Sequence, residues 1–189
     1  IVECVDANFG FSRYAERLGR SANSFDELYE ALQQEPTYID TVLLSILKEK
    51  IETIQPTLFL ISVPFPGNLY SAFRSAQWVK KHHPNIKISM GGGFPNTELR
   101  SLSDARVFEF FDFITLDDGE APIEELISNI EKPGYNSYKR TFLLEDGIVV
   151  YKNNSLKHDY KQSQVGTPDY SDLLLDKYIS VIEIVNPMH

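Results

Sequence analysis

The stretch Leu58-Phe59-Leu60-Ile61-Ser62-Val63-Pro64-Phe65-Pro66-Gly67-Asn68 decides the reading of this chain, because a continuous apolar run stops abruptly in loop-forming residues. A second run, Ile86 to Met90, stops the same way at Gly91-Gly92-Gly93-Phe94-Pro95-Asn96. Between them Leu69, Ala72, Phe73, Ala76 and Val79 recur at helical spacing, with charges at Arg74, Lys80 and Lys81. Strand, helix, strand makes two parallel strands joined by a right-handed crossover, so both loops are expected at the same carboxyl edge of one sheet. Open α/β sheets bind ligands at that edge. Three successive glycines remove every Cβ where the chain leaves the second strand, which permits positive φ and close approach of a flat or bulky ligand. The alternative is a tight strand-to-helix turn, for which one glycine suffices.

Upstream, Ile1 to Val5 reads as a short apolar strand followed by the loop Asp6-Ala7-Asn8-Phe9-Gly10. Ser12 to Gln34 is helical in two pieces, with Ser24 and Glu27 forming a capping box for the second. Tyr38 to Ile54 is a further helix whose Ile39, Val42, Leu43, Ile46, Leu47 and Ile54 share a face, leaving Lys48, Glu49, Lys50 and Glu52 on its solvated side. Downstream, Thr97 to Phe111 contains a short helix broken at Ser103-Asp104. The strand Phe113 to Leu116 then ends in Asp117-Asp118-Gly119-Glu120 before a helix over Ala121 to Ile130. Thr141 to Leu144 and Ile148 to Tyr151 flank Glu145-Asp146-Gly147, a hairpin signal. Asn153 to Asp169 reads as an extended linker, and Tyr170 to His189 as a segment heading into another domain. The expected architecture is α/β: a flavodoxin-like (Rossmann-like) parallel sheet with flanking helices over 1–132, then a β-hairpin and extended linker over 133–189.

Composition narrows the function classes. A chain of 189 residues with 42% apolar content can bury one core. Its net charge of −9, spread along the chain, argues against a surface for nucleic-acid phosphates or anionic membranes. No run approaches the ~18 apolar residues of a membrane span, and the start lacks a charged leader and cleavage site, so a cytoplasmic location is expected. A single cysteine, Cys4, excludes an internal disulfide framework and any multi-cysteine metal site. The absence of an initiating Met suggests a piece of a longer polypeptide.

The order Leu60-Ile61-Ser62-Val63-Pro64-Phe65-Pro66-Gly67-Asn68, then Met90-Gly91-Gly92-Gly93, then Asp112-Phe113-Ile114-Thr115-Leu116-Asp117-Asp118-Gly119-Glu120 resembles the vitamin B12-binding domain of cobalamin-dependent radical SAM proteins. In that family one strand ends in a Ser-containing loop, a later one in a Gly-Gly pair, and the last in a Gly-Glu-Gly-Glu-like turn, of which Asp117-Asp118-Gly119-Glu120 keeps the Gly-Glu half. The resemblance covers Ile1 to Ile130. It implies cobalamin held by Ser62, Val63, Pro64, Phe65, Pro66, Gly67 and Asn68, by Gly91, Gly92, Gly93 and Phe94, and by Asp117, Asp118, Gly119 and Glu120, with Phe65 and Phe94 as lining side chains. The Asp-x-His-x-x-Gly signature of mutases and methionine synthase is absent, since His82, His83, His158 and His189 lie outside any such pattern. No axial histidine is expected. The family also carries a strand and helix before the segment matching Ile1 to Asp6. The tail from Pro168 to His189 resembles the bridge to a radical SAM barrel, whose 4Fe-4S cluster and S-adenosylmethionine would act on a substrate that remains unknown.

Two other classes stay open on the residues alone. An α/β module for protein interaction or regulation would use the same sheet without a cofactor. A small-molecule hydrolase would use Asp117, Asp118 and Glu120, although neighbouring acids seldom converge without partners.

Overall fold

The computed structural model of the chain describes residues 25–171 together with Leu173 and Leu174. The expected strand at Ile1 to Val5, the first helical piece with Ser24, and the apolar stretch Tyr178 to Val185 lie outside the described residues. The helix α1 (Asp26–Gln33) is entered from Phe25 without a side-chain cap. Helix α2 (Tyr38–Ile54) has a reciprocal cap instead, in which Asp40 N–H donates to Thr37 Oγ1 at 3.3 Å and Thr37 N–H to Asp40 Oδ2 at 3.0 Å.

Strand β1 (Leu58–Ser62) leads through a 3-10 turn at Pro66–Asn68 into α3 (Leu69–His82), and then to β2 (Lys87–Gly91). These bounds sit within a residue or so of the sequence expectation. Helix α4 (Gly93–Glu98) starts earlier than expected, because Pro95 stands in its first turn, where a missing N–H costs nothing. A 3-10 turn at Ala105–Glu109 precedes β3 (Phe113–Thr115), which is followed by α5 (Glu120–Glu131), β4 (Thr141–Glu145) and β5 (Ile148–Lys152).

The five strands form one mixed sheet in the order β1-β2-β3-β4-β5. β1, β2 and β3 run parallel, and β4 and β5 continue the sheet antiparallel. One face meets α3 and α1: Val63, Ile88, Met90, Ile114 and Leu116 bury against Phe73, Ala76, Val79, Leu28 and Leu32. Rings add edge contacts here, with Phe73 centred 5.2 Å from Phe110 and 4.9 Å from Phe111. The other face buries Phe113 and Leu143 under Leu126 of α5.

Helix α2 departs from its expected packing. Only Ile51 and Asp40 are buried along it, while Tyr38, Val42, Ile46 and Ile54 are exposed among the described residues. Its anchor is polar. Asp40 Oδ2 accepts from Tyr70 Oη at 2.7 Å and sits 3.3 Å from Arg74 Nε, and Arg74 donates to the carbonyls of Ala31, Leu32 and Gln34 at the end of α1. Burial, together with the bond to Asp40, pushes the Tyr70 phenol up to about 12, so it stays protonated as a donor. Arg74, read from the sequence only as a charge beside the apolar positions of its helix, is 3% exposed.

Contacts within the chain gather into one unit ending at Asp159 and another beginning at Tyr160. The described part of the second holds one 3-10 turn, Gln162–Gln164, and otherwise no helix or strand.

Candidate functional site

Alternate residues of a strand face the same side of a sheet, and β1, β2 and β3 use that rule to lay down a floor of small side chains. Ser62 pairs with Gly91 in register, and Gly91 lies beside Thr115, whose Oγ1 a Cβ at 91 would meet at 2.9 Å. One row deeper, Leu60 pairs with Ser89 and Ser89 with Phe113. Ile123 of α5 walls one side. Leu60, Ser62, Ser89, Gly91, Thr115 and Ile123 line a cleft of about 260 Å³ that opens at the carboxyl edge. The uncapped start of α5 at Gly119 and the backbone of Asp117 stand at its rim.

The two glycines that follow β2 have a nearer reason than a ligand. Gly92 has φ +103°, and a Cβ there would lie 2.8 Å from both Val63 N and Val63 O. A Cβ on Gly93 would lie 2.8 Å from Pro64 O. The loop leaving β2 therefore crosses directly over the backbone leaving β1, tied by Val63 N–H to Gly91 O at 2.8 Å and Phe94 N–H to Val63 O at 2.9 Å. The crossing holds the two loops at one edge.

Of the expected site residues, the structure brings Ser62, Gly91, Gly92, Asp117 and Gly119 to the cleft. Phe65 stands half-exposed at the same edge, ahead of the turn formed by Pro66, Gly67 and Asn68. Phe94, expected as a lining side chain, is instead 4% exposed and packed in the core with Val63, because the loop crossing turns both inward.

Asp117 and Asp118 are held by arginines. Asp117 adopts φ +59°, donates its N–H to Asn96 Oδ1 at 2.6 Å, and pairs with Arg100 through Oδ1. Arg140 Nε lies 3.7 Å from Asp117 Oδ2, and Arg140 donates to the carbonyls of Leu116 and Asp118 at 3.2 and 3.0 Å. The same guanidinium grips Asp159 at 2.7 and 3.0 Å, a bond that holds the Asp159 carboxyl below its ordinary range. These bonds brace the turn and leave Asp117 in ion pairs, which is a poor arrangement for a general base. Glu120 is exposed at the start of α5, where its charge favours the helix dipole. Among the described residues no group of three or more His, Cys, Asp or Glu side chains is placed to hold a metal ion.

Sequence reasoning missed Ser89, Thr115, Leu60 and Ile123. A signal for the first two existed: Ser62, Ser89, Gly91 and Thr115 are small residues at alternate positions in runs that are otherwise apolar. Ser89 is 2% exposed and its Oγ has no hydrogen-bond partner, a costly state for a buried hydroxyl. Thr115 Oγ1, by contrast, donates to Met90 O at 3.3 Å. No helix among the described residues is long and apolar enough to cross a membrane. Comparison of the chain with protein families, with curated proteins and with solved structures finds no match in any of the three.

Proposed function

We propose that this chain is a cobalamin-binding domain of flavodoxin-like type, serving a radical SAM domain of the same polypeptide. The observation that carries the reading is the small-residue cleft at the carboxyl edge, with an unpartnered hydroxyl on its floor. A corrin requires a broad neutral platform, and its nucleotide tail requires a slot against the sheet. Ser62, Gly91 and Thr115 leave that slot free of bulk, and Ser89 leaves a polar atom inside it without a partner. The small residues suit the slot that the tail requires.

In this reading each part of the edge has its own task. The loop from Pro64 to Asn68 and the half-exposed Phe65 supply the platform. Gly92 and Gly93 keep the two loops pressed together, so that the platform is formed before any ligand arrives. Arg140 and Arg100 fix the Asp117 to Gly119 turn at the rim. Bound cobalamin would supply methyl-group or radical chemistry at its cobalt, and a 4Fe-4S cluster with S-adenosylmethionine would supply the initiating radical. With one cysteine in 189 residues, this chain lacks the thiolates for such a cluster.

The hydrolase reading gains nothing from the structure, since Asp117 is held in ion pairs by Arg100 and Arg140 and Glu120 stands exposed at the start of α5. An interaction reading has one observation in its favour, the exposed apolar row Tyr38, Val42, Ile46 and Ile54 along α2. The two readings separate in one experiment. The chain is mixed with hydroxocobalamin, desalted, and its visible spectrum recorded. Retention of the corrin band at one equivalent supports the cobalamin reading, and failure to take up hydroxocobalamin or any other cobamide overturns it.

A further inference from the structure

Ser89 lines the cleft with a buried hydroxyl that has no hydrogen-bond partner. It lies a row below Gly91, two residues or roughly 7 Å deeper along β2, at the inner end of the cleft. Its neighbours in register are apolar, Leu60 on β1 and Phe113 on β3. A buried hydroxyl in such surroundings is normally bonded, and a cleft that needed only to be apolar would carry alanine there. Beside it Leu60, which also lines the cleft, is 43% exposed.

We propose that Ser89 is a specificity-determining residue, which selects a flat aromatic base carrying a hydrogen-bonding group at its buried end. The inference rests on the cobalamin reading of the cleft and deepens it. Cobamides differ in the base of the nucleotide tail. The dimethylbenzimidazole of cobalamin presents two methyl groups at its far end, which would leave the Oγ unpartnered. A hydroxybenzimidazole presents a hydroxyl there, and adenine its ring N1 beside the exocyclic amino group, and either satisfies it. Selectivity built on a buried polar group works chiefly by penalising the ligand that leaves it unpaired.

The test titrates the full chain with hydroxocobalamin, with 5-hydroxybenzimidazolyl cobamide and with adeninyl cobamide, reading the Kd from the visible spectrum. Parent protein should bind one or both of the polar-base cobamides at least fivefold more tightly than hydroxocobalamin. In Ser89→Ala the preference should fall to within twofold. A thermal melt of the ligand-free variant gives a second reading. Because Ser89 Oγ bonds nothing in the fold, Ser89→Ala should melt at or above the parent temperature. Equal binding of all three cobamides by the parent, tighter binding of hydroxocobalamin, or a preference that survives in Ser89→Ala overturns the role of Ser89 and leaves the cobalamin reading standing. A melt of Ser89→Ala several degrees below the parent also overturns it, by showing that the hydroxyl serves the fold. Binding of none of the three overturns the cobalamin reading itself, and the inference with it.

Discussion

Replacing Gly92 by alanine should cost far more than the same change one residue earlier. At Gly92 the backbone has φ +103° and ψ −172°, a region essentially reserved for glycine, where a side chain costs on the order of 1–3 kcal/mol in strain. The new Cβ would also stand 2.8 Å from Val63 N and Val63 O, two atoms already engaged with Gly91 O and Phe94 N–H. Backbone cannot rotate aside as a side chain can, so the loops must separate and weaken those bonds, each worth roughly 0.5–1.5 kcal/mol. The sum is about 2–6 kcal/mol, a large part of the roughly 5–15 kcal/mol that holds a domain folded. At Gly91 the backbone is not strained and the nearest atom is Thr115 Oγ1, a side chain that can turn at the expense of its bond to Met90 O. Gly91→Ala should therefore cost only about 1 kcal/mol. Urea unfolding followed by far-ultraviolet circular dichroism measures both. Equal midpoints for the two variants, or a Gly92→Ala midpoint matching the parent, would refute the loop-crossing account.

Two further predictions concern the frame around the site. Arg74→Met should destabilise by about 3–5 kcal/mol in urea, because it strands the buried Asp40 charge and uncaps the end of α1. The double variant Asp40→Asn/Arg74→Met should then cost less than the sum of its single changes, and strict additivity would count against a coupled pair. Asp112 is partly buried, which raises its pKa, but Lys80 at 2.7 Å, the Ile88 N–H at 2.8 Å and Lys87 at 3.1 Å outweigh burial and hold its carboxyl below the ordinary value. A depressed folded-state pKa gives stability that is present above the unfolded value of about 3.9 and lost as pH falls through the folded value. Parent stability should thus decline below about pH 4 by more than that of Asp112→Asn; parallel pH profiles would contradict the assignment.

How much of this was legible in the sequence depended on the range of the interaction. β1, α3 and β2 could be bounded closely, because local period and loop residues mark them. Pro95 misled, since a proline reads equally as a loop residue or as the opening of a helix, and α4 takes the second use. The burial of Arg74 was not legible, because helical spacing records which face a residue occupies and not whether three carbonyls from another segment await it there. The glycine triplet read as room for a ligand or as a tight turn, and at Gly92 and Gly93 the close neighbour is the backbone of Val63 and Pro64, nearly thirty positions earlier. The apolar period of α2 suggested burial along Val42 and Ile46, and periodicity carries no information on whether a covering layer is present. Ser89 was hidden for a related reason. Within Ile86 to Met90 its small size is the one signal, and only the register with Leu60 and Phe113 shows a hydroxyl with nothing to bond.

The central claim is that the small-residue cleft is where the cofactor's tail enters, and a cleft-filling variant tests it most directly. Ser62 is exposed at the mouth, so Ser62→Leu has solvent space to occupy and should melt with the parent. Spectral titration with hydroxocobalamin should give saturable one-to-one binding for the parent and at least tenfold weaker binding for Ser62→Leu, a loss of about 1.4 kcal/mol or more. Binding of equal strength by parent and variant would contradict the claim and move any cobalamin site away from this edge.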